Sequence, residues 1–123
     1  MPVAISKILV VDDAEADRVA LEQILLEAGY QVISAASGAE ALERAAAEGP
    51  DVVLLDVVMD EMDGFKTCRE LRANPLTAAI PVVMVSGNAQ RVDKIWAEQQ
   101  GAKAYITKPY TAEQIVDQVR EFE

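Results

Sequence analysis

The sequence predicts one α/β domain, a doubly wound parallel sheet in which five strands alternate with five helices. Three observations lead there. Five short apolar runs, rich in Val, Ile and Leu, are separated by amphipathic or alanine-rich segments with recognisable helix ends. The central run, Val52-Val53-Leu54-Leu55, is uniformly apolar rather than alternating, the pattern of a strand buried on both faces. No stretch between the elements is long enough to divide them, and 123 residues suffice for one sizeable core, so residues 1–123 are read as a single domain.

In chain order, residues 7–11 form a β-branched run that stops at Asp12-Asp13. Leu21, Ile24, Leu25 and Ala28 recur at helical spacing, with Gly29 as the stop. Residues 31–35 make a more modest strand. Ser37-Gly38-Ala39-Glu40 has the S-x-x-E form of a capping box and opens an alanine-rich helix closed by Gly49-Pro50. The strand at 52–55 ends in Asp56, and an acidic loop, Asp60-Glu61-Met62-Asp63-Gly64, follows. Phe65, Cys68 and Leu71 share one face of a helix that ends before Asn74-Pro75. Residues 82–85 are a fourth strand, running into Ser86. A helix from about 90 to 100 carries Val92, Ile95 and Trp96 and stops at Gly101. Residues 103–107 are the fifth strand, ending in Lys108-Pro109. Thr111-Ala112-Glu113-Gln114 repeats the capping-box form, and Ile115, Val119 and Phe122 give the last helix its buried stripe.

Composition narrows the function. With 21 acidic against 11 basic residues the formal charge is −10, which argues against binding a phosphate backbone and leaves no expectation of a nucleic-acid partner. The single cysteine, Cys68, excludes an internal disulfide and reads as a small core hydrophobe. No apolar run approaches the roughly 20 residues of a membrane span, and the N-terminus lacks the pattern of a signal peptide, so the expected location is the cytoplasm, without a membrane partner. There is no histidine, no G-x-G-x-x-G and no G-K-[ST], which excludes histidine-based triads, zinc centres of the usual type, dinucleotide folds and P-loops.

The strand ends remain. In a parallel sheet the carboxyl ends lie along one edge, so Asp12, Asp13, Asp56, Ser86 and Lys108 converge there although they are far apart in sequence. Any one of them alone would be read as a turn former or helix cap; the set is harder to explain that way. Two carboxylates about 4 Å apart repel by about 4 kcal/mol at an effective dielectric near 20, so such a cluster either raises its pKa values or recruits cations. Lys108 supplies one positive charge; a hard divalent ion such as Mg²⁺ suits the oxygen ligands. Carboxylate, metal, hydroxyl and lysine together suit phosphoryl transfer, in which a carboxylate can itself be the nucleophile.

These motifs, Val11-Asp12-Asp13, Leu55-Asp56, Met62-Asp63-Gly64, Ser86 and Thr107-Lys108-Pro109, resemble the receiver domain of two-component response regulators of the chemotaxis CheY type, over essentially the whole chain. The resemblance implies a flavodoxin-like, CheY-like (βα)5 fold with strand order 2-1-3-4-5. It implies that Asp56 accepts a phosphoryl group from a phosphohistidine on a sensor histidine kinase, and that Asp12, Asp13, Asp56 and the backbone carbonyl of Val58 ligate Mg²⁺. Lys108 would pair with the phosphoryl oxygens, the Ser86 hydroxyl would turn in to bond one of them, and Tyr105 would act as the switch aromatic. The Lys108-Pro109 bond would be cis. The output partner would dock on the face of the fourth and fifth helices and fifth strand. Such a protein is a self-catalysing phosphoacceptor, losing its phosphoryl group by autodephosphorylation, rather than an enzyme acting on a separate substrate. With no output domain after the fifth helix, the expectation is a stand-alone receiver. Residues 95–109 also resemble the PilH group of type IV pilus, chemotaxis-like systems.

Three departures from the family pattern stand out: Asp60 where a proline is usual, an apolar Val58 with Asn88 beside the path of the hydrolytic water, and Ser86 in place of the commoner threonine. The second leads to the expectation of a long-lived phosphoryl group, with Val58→Asn speeding its loss. Two other classes fit less well. A haloacid-dehalogenase-type phosphatase needs D-x-D after the first strand, where this chain has Asp12-Asp13, and a receiver-like module that never takes phosphate would have lost an acceptor or metal carboxylate. A receiver belonging to a longer hybrid kinase is not distinguished by these residues. Trp96 is read as half-buried helix packing, with an anchor on the output face as the alternative. The run Asp60, Glu61, Asp63 is read as a solvated loop.

Overall fold

The computed structural model describes residues 5–57, 63–87 and 91–123, with the side chains of residues 91–94 outside the description. Five parallel strands alternate with five helices: β1 Lys7–Val11, α1 Glu15–Glu27, β2 Gln31–Ala35, α2 Gly38–Glu48, β3 Val52–Asp56, α3 Gly64–Ala73, β4 Val82–Ser86, α4 Arg91–Gln99, β5 Ala104–Thr107 and α5 Ala112–Arg120. The strand order is β2-β1-β3-β4-β5, as the resemblance implied. Every neighbouring pair is parallel, with β1 and β3 aligned from Ile8–Val52 to Val11–Leu55 and β4 and β5 from Val83–Ala104 to Ser86–Thr107.

Side chains along a strand alternate between faces, and this splits the core into two layers. Leu9, Val11, Val53, Leu55 and Met84 pack with Ala41, Ala45, Cys68, Leu71 and Ala97 of α2, α3 and α4. Ile8, Val10, Val52, Leu54, Val83 and Val85 pack with Leu21, Leu25, Ile115 and Val119 of α1 and α5. All five residues of β3 and of β4 are buried, the double-sided burial that their uniform apolarity predicts. Each large aliphatic side chain buried this way contributes about 1.5–3 kcal/mol. Edge strand β2 is only partly covered.

The helix ends follow the sequence with some corrections. Thr111 and Gln114 form the full capping box, each side chain accepting from the other's backbone N–H, at 3.2 and 2.8 Å. At α2 the box is only half made. The Ser37 hydroxyl accepts from the Glu40 N–H at 3.1 Å, but the Glu40 carboxylate reaches past Ser37 to the N–H of Ala36. Ala28 is exposed and caps α1 rather than filling its buried stripe. Phe122 lies beyond the end of α5, in a following turn, and packs partly buried against the α1/α5 core. Among the described side chains of α4 it is Ala97 that is buried, whereas Ile95 and Trp96 are 43% and 48% exposed. Trp96 meets Phe65 edge-on, with ring centroids 6.4 Å apart, which matches the half-buried packing expected for it. Cys68 is fully buried; its thiol is pushed up to about 11 by burial against a small opposing effect of Arg72, as befits a core side chain.

Candidate functional site

Three strand ends and one connection assemble the site. The end of β1 is held by the Asp12 N–H donating to Ala35 O at 3.1 Å and by the Arg18 guanidinium donating to Asp12 O at 2.9 Å. Asp12 is then committed twice. Its Oδ1 accepts from the Ala14 N–H at 3.0 Å, at the start of α1, and its Oδ2 accepts from Lys108 Nζ at 3.1 Å. The end of β3 is fixed by α3. The Gly64 N–H donates to Val57 O at 2.8 Å, and a Cβ on Gly64 would collide with the carbonyl oxygen of Asp56 and the Cα of Val57. Only glycine lets the helix start that close to the strand. Asp63 caps the same helix, accepting from the Lys66 N–H at 2.8 Å. The expected solvated acidic loop is thus a helix start at this residue; Val58, Asp60 and Glu61, like Asn88, lie outside the described residues.

Carboxylate oxygens of Asp12, Asp13 and Asp56 all lie within 4.8 Å of one another. Asp12 and Asp56 are buried and Asp13 is exposed, so the group opens outward. Opposite stands Lys108, whose Nζ is 3.1 Å from Asp12, 3.2 Å from Asp17 and 3.8 Å from Asp56. Burial works against the charged ammonium, but the hydrogen bond to Asp12, the charges of Asp56 and Asp12 and the hydrogen bond to Asp17 outweigh it, raising the Lys108 pKa above its ordinary value. This ammonium is the one positive charge that the sequence assigned to Lys108, and the three carboxylates beside it are the oxygen donors expected for a divalent ion.

Ser86, fully buried at the end of β4, is tied to the same place: the Lys108 N–H donates to Ser86 O at 2.7 Å. The Lys108-Pro109 bond is cis. Tyr105 pairs in register with Met84, two residues before Thr107, and packs partly buried against the α2/α3/α4 core. A cavity of about 200 Å³, lined by Tyr105 with Ala97, Glu98, Ala102, Lys103 and Ala104, lies beside it between α4 and β5.

The edge brings together Asp12, Asp13, Asp56, Ser86 and Lys108, with Tyr105 one layer away. The sequence reading missed Asp17. Its signal was present: an aspartate in the first turn of the helix that leaves the Asp12-Asp13 edge stands near that edge, at a helix start that favours negative charge.

Acidic groups and a lysine at the carboxyl edge of a 2-1-3-4-5 sheet define a phosphorelay receiver by fold and site together. The sequence profile of the response regulator receiver domain matches residues 8–120, and the chain belongs to that family. It is 40% identical to Protein PilH of Pseudomonas aeruginosa over 111 residues, covering 90% of this chain and 92% of that protein. Several other curated relatives are longer, the chain spanning between 23% and 47% of their length. Among solved structures, the chemotaxis protein CheY4 of Vibrio cholerae superposes with a TM-score of 0.92 at 30% identity, over 98% of this chain and all of that one. The receiver domain of the sensor histidine kinase PA1611 of P. aeruginosa, described with a magnesium ion coordinated in its active site cleft, superposes with a TM-score of 0.89 at 27% identity, over 97% and 98% of the two chains. The chain is thus a signalling receiver of the CheY and PilH kind, and no helix among the described residues is long and apolar enough to cross a membrane.

Proposed function

We propose that Asp56 is the phosphoacceptor and that the chain acts as a single receiver domain over residues 1–123, taking its phosphoryl group from a sensor histidine kinase in the cytoplasm. One observation supports this above the others: a buried carboxylate at the end of the central strand faces both an ammonium group and two further carboxylates. In the transfer, an Asp56 oxygen attacks phosphorus, the P–N bond to the kinase imidazole breaks, and the imidazole nitrogen keeps the electron pair. Asp12, Asp13 and Asp56 offer the hard oxygen donors that suit Mg²⁺, with the Val58 carbonyl as a further ligand taken from the family pattern. When bound, Mg²⁺ supplies the positive charge that lets an anionic phosphoryl group approach an anionic acceptor.

Lys108 donates to the phosphoryl oxygens, and Ser86, one hydrogen bond away along the β4–β5 edge, offers its hydroxyl to another. A shift of Ser86 opens room for Tyr105, whose neighbouring cavity gives the ring space to turn. The altered surface is that of α4, β5 and α5, where Ile95 and Trp96 already stand half exposed to an output protein, with no nucleic acid or membrane involved. Similarity to PilH favours chemotaxis-like control of pilus motility as the setting. Autodephosphorylation then resets the protein.

The test is intact mass after incubation with Mg²⁺ and acetyl phosphate, beside Asp56→Asn. A Mg²⁺-dependent gain of one phosphoryl group, absent in the variant, is the expected result; no gain in the unaltered protein, with Mg²⁺ binding confirmed by calorimetry, would overturn the reading.

A further inference from the structure

We propose that Asp17 is a positioning residue for this chemistry, drawing Lys108 toward α1 and keeping its ammonium beyond hydrogen-bond range of Asp56 until a phosphoryl group competes for it. The inference rests on the reading of Asp56 as acceptor and adds a regulator to that site.

Four distances carry it. Lys108 is fixed through its backbone, its N–H bonded to Ser86 O at 2.7 Å, so the direction of its side chain decides which carboxylate it serves. Nζ makes hydrogen bonds of 3.1 Å to Asp12 and 3.2 Å to Asp17, whereas Asp56 stays at 3.8 Å. An ammonium has three donors, and here two are spent away from the acceptor. Asp12 belongs to the strand edge; Asp17 reaches in from the first turn of α1 and is the partner that pulls outward.

Exposure makes the tether releasable. The Asp17 side chain is 54% exposed, against 9% for that of Asp56. A pair half in water is weak, while an equal charge in the buried pocket acts through a lower dielectric. A phosphoryl group on Asp56 replaces a singly charged carboxylate by a group of nearly two negative charges with three acceptor oxygens, which draws the lysine from Asp17. Phosphorylation then also breaks the ion pair that Lys108 makes between α1 and the β5–α5 connection.

Asp17 also places another negative charge near the site, and a bare charge effect must be separated from the tether. The experiment is a double-mutant cycle of Asp17→Asn with Lys108→Ala in the full chain, with Asp17→Glu as the conservative control. Two readouts are taken: the Mg²⁺ dissociation constant by calorimetry without any phosphodonor, and the maximal rate of mass gain with acetyl phosphate at saturating Mg²⁺. In Asp17→Asn the released ammonium moves onto Asp12 and Asp56. Mg²⁺ binding weakens and the maximal rate rises, each by about two- to fivefold, the range an exposed ion pair supports. Asp17→Glu stays near the unaltered protein, and both effects vanish when Lys108 is absent.

Equal effects with and without Lys108 would reduce Asp17 to a bare charge, and no effect on either readout would make it idle; both overturn the proposal. If the unaltered protein takes no phosphoryl group, the acceptor reading fails while the Mg²⁺ titration still decides the tether. Should Lys108→Ala not fold, Lys108→Met, of similar length, closes the cycle.

Discussion

The two ends of the sheet both carry aspartates, and they treat them in opposite ways. At the amino edge, Asp51 sits just before β3 and its Oδ2 accepts from the Ser6 N–H, the Ser6 hydroxyl and the Lys7 N–H, at 2.9, 3.1 and 3.0 Å. Burial pushes its pKa up, yet the backbone hydrogen bonds from Lys7 and Ser6 prevail and hold it below the ordinary carboxylate value. At the carboxyl edge, Asp12 and Asp56 are more deeply buried; one oxygen of Asp12 takes the Ala14 N–H, but its other oxygen and Asp56 both face the flexible side chain of Lys108. Backbone N–H groups satisfy a carboxylate permanently, so Asp51 is a rivet between β1 and β3. An ammonium on a four-carbon stem satisfies it revocably, which leaves room for a metal ion or a phosphoryl group. The same residue type becomes structure or chemistry according to whether its partner can leave.

That contrast can be broken at either edge. The largest effect is expected for Lys108→Ala, which removes the movable partner: the phosphorylation rate of Asp56 falls about a hundredfold, as for loss of one donor to a developing anion, measured by mass gain against time. Next is Gly64→Ala, which forces a methyl group against the backbone that carries Asp56. It costs about 1–3 kcal/mol of stability, read from urea denaturation. The smallest is Asp51→Asn, which keeps shape but loses charge at the rivet. It costs about 1 kcal/mol at neutral pH with an unchanged phosphorylation rate. The sign with pH follows from the depressed pKa: the carboxylate's contribution is present above the unfolded value near ~3.9 and is lost as pH falls through the lower folded value. The stabilities of the two proteins should therefore converge in acid, and a gap that widens there would refute the assignment.

Much of this was legible from residue patterns, for stated reasons. The central strand announced itself because double-sided burial demands uninterrupted apolar residues, as at 52–55, while the edge strands β2 and β5 are less covered and more mixed. Alternation implied a parallel sheet and hence a common edge for Asp12, Asp56, Ser86 and Lys108, but it does not order the strands; that came from the resemblance. The aspartates were harder. Asp63 as helix cap, Asp51 as rivet and Asp17 as second lysine partner are all short polar residues near element ends, and only the three-dimensional partner distinguishes them. Helix α4 misled for another reason. Periodicity picks out Val92, Ile95 and Trp96, yet among the described side chains of the helix it is Ala97 that faces the core, its small side chain allowing close approach.

The contact between Gly64 and the end of β3 also bears on motion. The amide that donates to Val57 O begins a helix whose Cys68 and Leu71 are fully enclosed in the core, so freeing that hydrogen bond means undoing the packing of α3. Deuterium should enter the Gly64 amide only at the pace of cooperative unfolding. Asp56, the acceptor proposed above, is thus anchored beside the packed start of α3, while Lys108 reaches it on a single side chain.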